Sequence, residues 1–267
     1  MKASTANNDT AFQKFLKTDK SSLLTILSFF LIIAIWKLVS LAVGAEIILP
    51  SPEKTFMAFI GLIKTKFFYI IILSSLYRGA IGFLISFILG VITGFFAGKN
   101  KRFYKLFEPF LIIIRSTPVI TIILIALIWF KADFVPVFAG FLMIFPIICT
   151  NIIEGIKNVD TRLLQMAKIY KIRSDRIYKE IYAPSLVPFI LSGVSSGFGI
   201  GWKVVIAAEV LSQPKYAIGS SLQNSRIYLN INEVFAWTLT AIVLGYAFEK
   251  IMRIIENKAV RWKKTAL

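Results

Sequence analysis

The chain has 267 residues, 57% of them hydrophobic, and a formal charge of +17. That is more apolar surface than one soluble core of this length can hide, which excludes an ordinary soluble domain and points to a membrane. Histidine is absent and Cys149 is the single cysteine, so an intrachain disulfide is excluded and the usual general base and commonest metal ligand are missing.

Residues 1–20 form a polar arm with little apolar content, to which no function is assigned. A helix crossing roughly 30 Å of hydrocarbon needs about 20 residues, and six apolar runs meet that demand: 21–43, 71–98, 110–130, 134–153, 187–210 and 234–252. The first is long enough to span and lacks a small-residue cleavage pattern, so it reads as a retained helix rather than a removable leader. Leu49-Pro50-Ser51-Pro52 then leads into 54–66, where Phe56, Phe59, Ile60 and Ile63 recur at the spacing of an external amphipathic helix. Pro118 in the third run, and Pro136 and Pro146 in the fourth, predict kinked helices sheltered by their neighbours. The fifth run carries Gly193, Gly197 and Gly201 at intervals of four, beside Ser192, Ser196 and Gly199. Close helix packing is the first reading of that face, and a border on a translocation path is the second.

Lysine and arginine concentrate in 1–20, in 99–105, in 155–186 and in the tail, and outnumber those of the alternate loops by roughly three to one. This placement puts both termini in the cytoplasm, and it reads the positive charge as a topology signal rather than a nucleic-acid surface. The expected organisation is a cytoplasmic arm over 1–20, a transmembrane domain over 21–255 and a basic cytoplasmic tail over 256–267. Within the transmembrane domain, the loop 155–186 is too long for a plain connector. Asp160 is placed to cap a helix from Thr161 to about Lys171, with Leu163, Met166, Ala167 and Tyr170 along one apolar stripe. Ser174 is placed to cap a second helix through Ile177, Tyr178 and Ile181, which should end near Pro184. The expected product is a helical hairpin on the cytoplasmic face. Pro214 to Leu229, between the last two runs, holds Ala217, Ile218, Leu222, Ile227 and Tyr228 in a pattern that fits a short external amphipathic element, a gate or a docking surface.

The hairpin resembles the loop of ABC importer permeases, which reads EAA, three residues, Gly, nine residues, then I-x-L-P. Here Gln165-Met166-Ala167 holds the first position, Lys171 that of the glycine and Ile181-Tyr182-Ala183-Pro184 the last, with every interval kept. Ala167, Ile181 and Pro184 are identities, whereas Gln165, Met166, Lys171 and Ala183 depart from the pattern. Leu49-Pro50-Ser51-Pro52, Arg115-Ser116-Thr117-Pro118, the run Gly155 to Asp160, and Trp202 to Glu209 are similar to the nitrate/sulfonate/taurine permease group, a binding-protein-dependent inner membrane component family. The resemblance covers roughly residues 20 to 255. It implies an all-α, polytopic membrane protein of about six transmembrane helices with a cytoplasmic coupling-helix hairpin. Asp160, Leu164, Gln165, Ala167, Lys171, Ile181 and Pro184 are then the ATPase-coupling residues.

The implied activity is that of a bacterial cytoplasmic-membrane importer subunit that forms the path for a small anion or vitamin precursor by alternating access. No G-x-x-x-x-G-K-[ST] loop occurs, so no cofactor is expected on this chain and ATP with Mg belongs on a partner ATPase. The other implied partners are an extracytoplasmic solute-binding protein, a second permease copy in a homodimer and membrane lipid, with no nucleic acid.

Ionised side chains inside spans are costly and need a partner, a cavity or an interface. Lys203 and Glu209 lie six apart in the fifth run and so do not face each other on one helix. Gly197, Gly201, Lys203 and Glu209 are the candidate path residues, with a structural ion pair or a snorkelling side chain as the alternative for Lys203. Arg78 and Arg115 read as structural. A self-sufficient secondary transporter or channel is the competing function, with Lys203 and Glu209 serving ion coupling, but the paired broken helices of such folds are not evident. A membrane enzyme comes last, since no acid pair and no nucleophile with a nearby base is found, and no catalytic or metal residue is named.

Overall fold

The computed structural model describes residue 24 and residues 27–259, with side chains through 256. The polar arm over 1–20 and most of the tail over 256–267 lie outside these residues. The helices are α1 (Leu27–Val43), α2 (Pro52–Ile63), α3 (Lys66–Lys99), α4 (Lys101–Ser116), α5 (Val119–Trp129), α6 (Val135–Lys157), α7 (Thr161–Ile169), α8 (Ser174–Ile177), a π-helical turn (Tyr178–Tyr182), α9 (Ala183–Ser212), α10 (Ile218–Ile227) and α11 (Ile231–Ala259). No strand occurs among the described residues.

Four helical stretches are long and apolar enough to cross a membrane: Lys66–Lys99, Val135–Lys157, Ser174–Ser212 and Ile231–Glu256. The described part of the first expected span is α1. At 1.5 Å per residue α3 runs roughly 50 Å, longer than the hydrocarbon layer, so its ends project beyond it.

The third expected span, 110–130, is not one kinked crossing. Its two halves, α4 and α5, meet at a bend of 98°. Pro118 is the cause, because its ring disfavours the helical region for the residue before it. Thr117 takes φ −75°, ψ 126° and Pro118 φ −58°, ψ 135°, so two consecutive residues leave the helix. Pro136 sits in the first turn of α6, where no backbone donor is required, and causes no break.

The core is built around α6. Its Ile144, Ile148 and Ile152 are fully or almost fully buried. On one side α3 presents Gly82, Ser86, Gly90 and Gly94, a run of small residues at intervals of four, all buried. A Cβ at Gly82 would stand 2.8 Å from the Val137 carbonyl oxygen and one at Gly94 2.8 Å from that of Cys149, so the two backbones touch. Ser86 bridges them by donating to the carbonyls of Gly82 at 2.7 Å and Phe141 at 3.1 Å. On the other side α9 runs antiparallel, with Gly197 and Gly201 against Ile144. Small residues bring membrane helices together by letting their backbones approach, since burial against lipid gives little net gain.

At the end of the bundle away from the hairpin, α2 is stapled to α1. The Trp36 indole donates to the Pro50 carbonyl at 3.1 Å, and Lys37 bridges Glu53 at 2.8 Å. The short element expected before the last span is α10, which packs its Ile218 into a cluster with Phe68, Trp202 and Trp237.

Candidate functional site

The hairpin begins at α7, whose first turn is closed by Asp160: its carboxylate accepts the Arg162 N–H at 2.8 Å. The helix stops at Ile169 and the chain reverses through Lys171, at φ 51°. The Ile172 N–H bonds the Ala167 carbonyl at 2.9 Å and the Lys171 N–H that of Lys168 at 3.2 Å, the paired bonds of a Schellman turn. That turn needs a left-handed residue at the place of Lys171, which is the position where the ABC permease loop carries glycine. Ala167 is completely buried, and its carbonyl closes the turn. Leu164 is half-buried and Gln165 exposed.

Ser174 is not a cap, contrary to the expectation: Arg173 holds that position without a side-chain bond and Ser174 is the first helical residue. Nor does the second limb end at Pro184. A π turn over Tyr178–Tyr182 carries α8 directly into α9, with the Ala183 N–H reaching the Tyr178 carbonyl. Pro184 then falls in the first turn of α9, where its missing donor leaves no bond unmade. Ile181 and Pro184 are therefore half-buried residues of one helical stretch, Ser174–Ser212, that joins hairpin to membrane span.

Two surfaces result. The outward face of α7 shows Leu163, Met166, Ile169 and Tyr170, the last two 76% and 73% exposed. The inward face closes a cavity of about 500 Å³ lined by Leu164, Ala167, Lys171, Tyr178 and, from α3, Lys99.

The four candidates for the path separate in space. Gly197 and Gly201 lie against α6, and a Cβ on Gly201 would meet the Ile144 Cδ1 at 2.3 Å. Glu209 is fully buried, and it accepts from Ser75 at 2.9 Å, from the Gly219 N–H at 3.2 Å and from Arg78 at 3.2 Å. Arg78 extends the network to the Tyr216 carbonyl at 2.8 Å and to Asp133 at 2.6 Å. The pair is thus interhelical and structural, fastening α3, the α5–α6 connection and the approach to α10 onto the end of α9. Removing one partner of such a buried pair would leave an uncompensated charge. Lys203 is exposed and has no ion pair or hydrogen bond among the described residues. It shares its open face of α9 with Ser192, Ser196, Gly199 and Ala207, all exposed.

Ser75, Asp133 and Gly219 carry no sequence signal beyond the three-residue spacing of Ser75 and Arg78, since their partners lie on other elements, 134, 55 and 10 residues away. An open groove of about 860 Å³ runs beside Arg78 and Asp133, and those charges already bind each other. Among the described residues no three side chains of metal-binding type come together. Arg115 is exposed and stands 3.5 Å from the Thr150 hydroxyl.

These features define a class: an all-α polytopic membrane protein whose connecting hairpin is built into a membrane helix. Residues 86–261 match the family model described as binding-protein-dependent transport system inner membrane component, and the chain belongs to that family. It is 28% identical over 240 residues to a putative aliphatic sulfonates transport permease protein, SsuC, of Bacillus subtilis, covering 88% of this chain and 85% of that one. The corresponding Escherichia coli protein is 30% identical over 250 residues, covering 91% and 94%. The nitrate import permease protein NrtB of Synechocystis is 25% identical over 240 residues, covering 86% of each. The fold is shared with a chain of the MetNI methionine ABC transporter in an inward-facing conformation, with a TM-score of 0.58 and 13% identity over 71% of this chain and 94% of that one. The chain is an ABC transporter permease embedded in the membrane.

Proposed function

We propose that this permease forms the solute path of an ATP-driven importer and takes its energy from a separate ATPase through the hairpin of α7 and α8. The observation that carries the reading is the apolar face of Leu163, Met166, Ile169 and Tyr170, left open on a helix that is capped at both ends and joined, by the turn at Lys171, to a limb that runs through the π turn into a membrane span. An exposed apolar patch of this kind on an otherwise ordered element marks a partner surface. Asp160, Leu164, Gln165, Ala167, Lys171, Ile181 and Pro184 shape that hairpin, and ATP with Mg binds on the partner. Closure of two ATPase subunits displaces two such hairpins and alternates the access of the path, which requires two permease copies, most simply a homodimer. Both termini and the hairpin lie in the cytoplasm, the far end faces an extracytoplasmic solute-binding protein, and the membrane is the bacterial cytoplasmic one.

The solute is a small anion. The relatives' names specify aliphatic sulfonates and nitrate, and Lys203 offers an exposed cation on the small-residue face of α9. Gly197, Gly201 and Glu209 serve the path by fixing the shape of α9 rather than by touching solute.

The test is a pull-down of the tagged, detergent-solubilised chain from its native membrane. A P-loop ATPase is expected to co-purify, and Met166→Asp with Ile169→Asp, two surface changes, should release it while the permease still elutes as a folded species. A chain that purifies alone and moves solute down an ion gradient in liposomes would be a secondary transporter, and the reading would fail.

A further inference from the structure

Two side-chain pairs meet at the root of the hairpin. On α3, Phe95 and Lys99 stand four residues apart, as do Tyr178 and Tyr182 on the π turn, so each pair shares one face of its helix. The Lys99 ammonium lies 4.4 Å from the centre of the Tyr178 ring and 5.5 Å from those of Tyr182 and Phe95, and it donates to the Tyr178 hydroxyl. The rings also touch one another, with centroids 5.5 Å apart for Tyr178 and Tyr182 and 5.9 Å for Phe95 and Tyr178. A cation held among three aromatic faces is bound by their quadrupoles as well as by the hydroxyl.

We propose that Lys99 is the positioning residue through which the hairpin moves α3, by way of the cage of Phe95, Tyr178 and Tyr182; this rests on the coupling role of the hairpin argued above. The parts on either side are stiff. A Cβ at Gly98 would stand 2.8 Å from Ile156, and Gly94 is as close to Ile152, so the end of α3 has no freedom to slide along α6. The two helices move as one body. On the other side the π turn runs without a break into α9. A displacement of the hairpin therefore reaches α9 through an unbroken helical backbone, whereas its backbone link to α6 is the short non-helical stretch 158–160, and the cage is where its side chains grip α3. Losing the cage leaves the hairpin able to bind its ATPase and to move α9, with the α3–α6 body following only through the link 158–160 and its packing on α9. The outcome is less transport for each ATP hydrolysed.

Lys99 is also the last residue of α3, where a positive charge favours the helix dipole and the inside topology. Those roles depend on the charge and not on the tyrosines, and that difference separates them from the cage.

The experiment uses proteoliposomes holding the complete complex with its binding protein, and reads solute taken up per ATP hydrolysed. Lys99→Met is expected to lower that ratio on the order of fivefold, the scale of one solvent-exposed cation–π contact, while ATP hydrolysis and assembly stay near wild type. Lys99→Arg should restore it, Tyr178→Phe, which keeps the ring and loses the hydroxyl, should fall between, and Tyr178→Leu with Tyr182→Leu should match Lys99→Met. A wild-type ratio in the double leucine variant, whose charge and topology are intact, overturns the proposal even if Lys99→Met fails to assemble. Equal loss of hydrolysis and uptake in that double variant also overturns it, because the cage would then serve only to hold the complex together. A wild-type complex with no ATP-driven uptake would remove the coupling reading itself, and the proposal with it.

Discussion

Lys171 stands at φ 51° in the turn that reverses the hairpin, a conformation that costs an ordinary L-residue about 1 kcal/mol and glycine almost nothing. The turn persists because Ile172 and Lys171 together close the carbonyls of Ala167 and Lys168. Lys171→Gly is therefore expected to stabilise the hairpin by about 1 kcal/mol, read as roughly fivefold slower hydrogen exchange at the Ile172 amide. Unchanged or faster exchange would mean that the left-handed turn is not held. At the opposite end of the bundle, the hydrogen bond from Lys37 pushes the Glu53 carboxyl down from its ordinary 4.5 to about 2. A depressed folded value means that the pair contributes stability above pH 4.5 and loses it as pH falls through about 2. The difference in unfolding temperature between wild type and Glu53→Gln should accordingly be constant from about pH 7 to pH 5 and shrink only in stronger acid. A difference that stays constant down to about pH 2 would show an ordinary, unpaired carboxylate, whose titration is the same in the folded and unfolded chain.

At the scale of elements, two prolines with the same chemistry give opposite results. Pro118 turns the chain through 98°, whereas Pro184 lies within a helical stretch of 39 residues. The π turn before Pro184 makes the difference, since it places the proline in the first turn of a new α-helical register, where an N–H is dispensable. Nothing in the local sequence announces the π turn; its tyrosines are held there by Phe95 and Lys99, some eighty residues earlier. The seams on either side of α6 were unequally legible. Gly193, Gly197 and Gly201 stand out at intervals of four, and their packing role follows from spacing alone. On α3 the same spacing runs through Gly82, Ser86, Gly90 and Gly94, but the serine and the large residues between mask it. Filling the α9 seam has a definite expected cost: Gly201→Leu forces side chains into Ile144, and should destabilise the bundle by about 1–3 kcal/mol. Ile144→Ala in the same chain should recover part of that loss in a thermal-unfolding assay of the detergent-solubilised protein. Full tolerance of the leucine would show that Gly201 does not lie against the Ile144 side chain.

For the whole molecule, the buried charges and the open one divide the work. Arg78 and Glu209 satisfy each other inside the bundle, which leaves Lys203 as a cation of α9 unpaired among the described residues. Its isolation in one copy fits a face turned toward water or a second copy rather than toward lipid, where a charge is expensive. With an anionic solute, Lys203→Gln is expected to reduce reconstituted uptake several-fold while recovery of the ATPase is unchanged, and Lys203→Arg should retain most of it. Wild-type uptake in the glutamine variant would return Lys203 to a structural or snorkelling role.

The sequence by itself determined the membrane class, the order and approximate bounds of the four long spans, the cap of α7 and the existence of the hairpin. Each of those is a local property: apolar run length against bilayer thickness, helical spacing, or a capping side chain two residues from the N–H that it accepts. Tertiary structure alone decided which of two prolines breaks its helix, that Glu209 meets Arg78 while Lys203 has no charged partner among the described residues, and that Lys99 is gripped by the hairpin. Those outcomes join residues about eighty to more than a hundred and thirty positions apart, and a charge or a ring carries no mark of a distant partner until the backbone brings the two within reach.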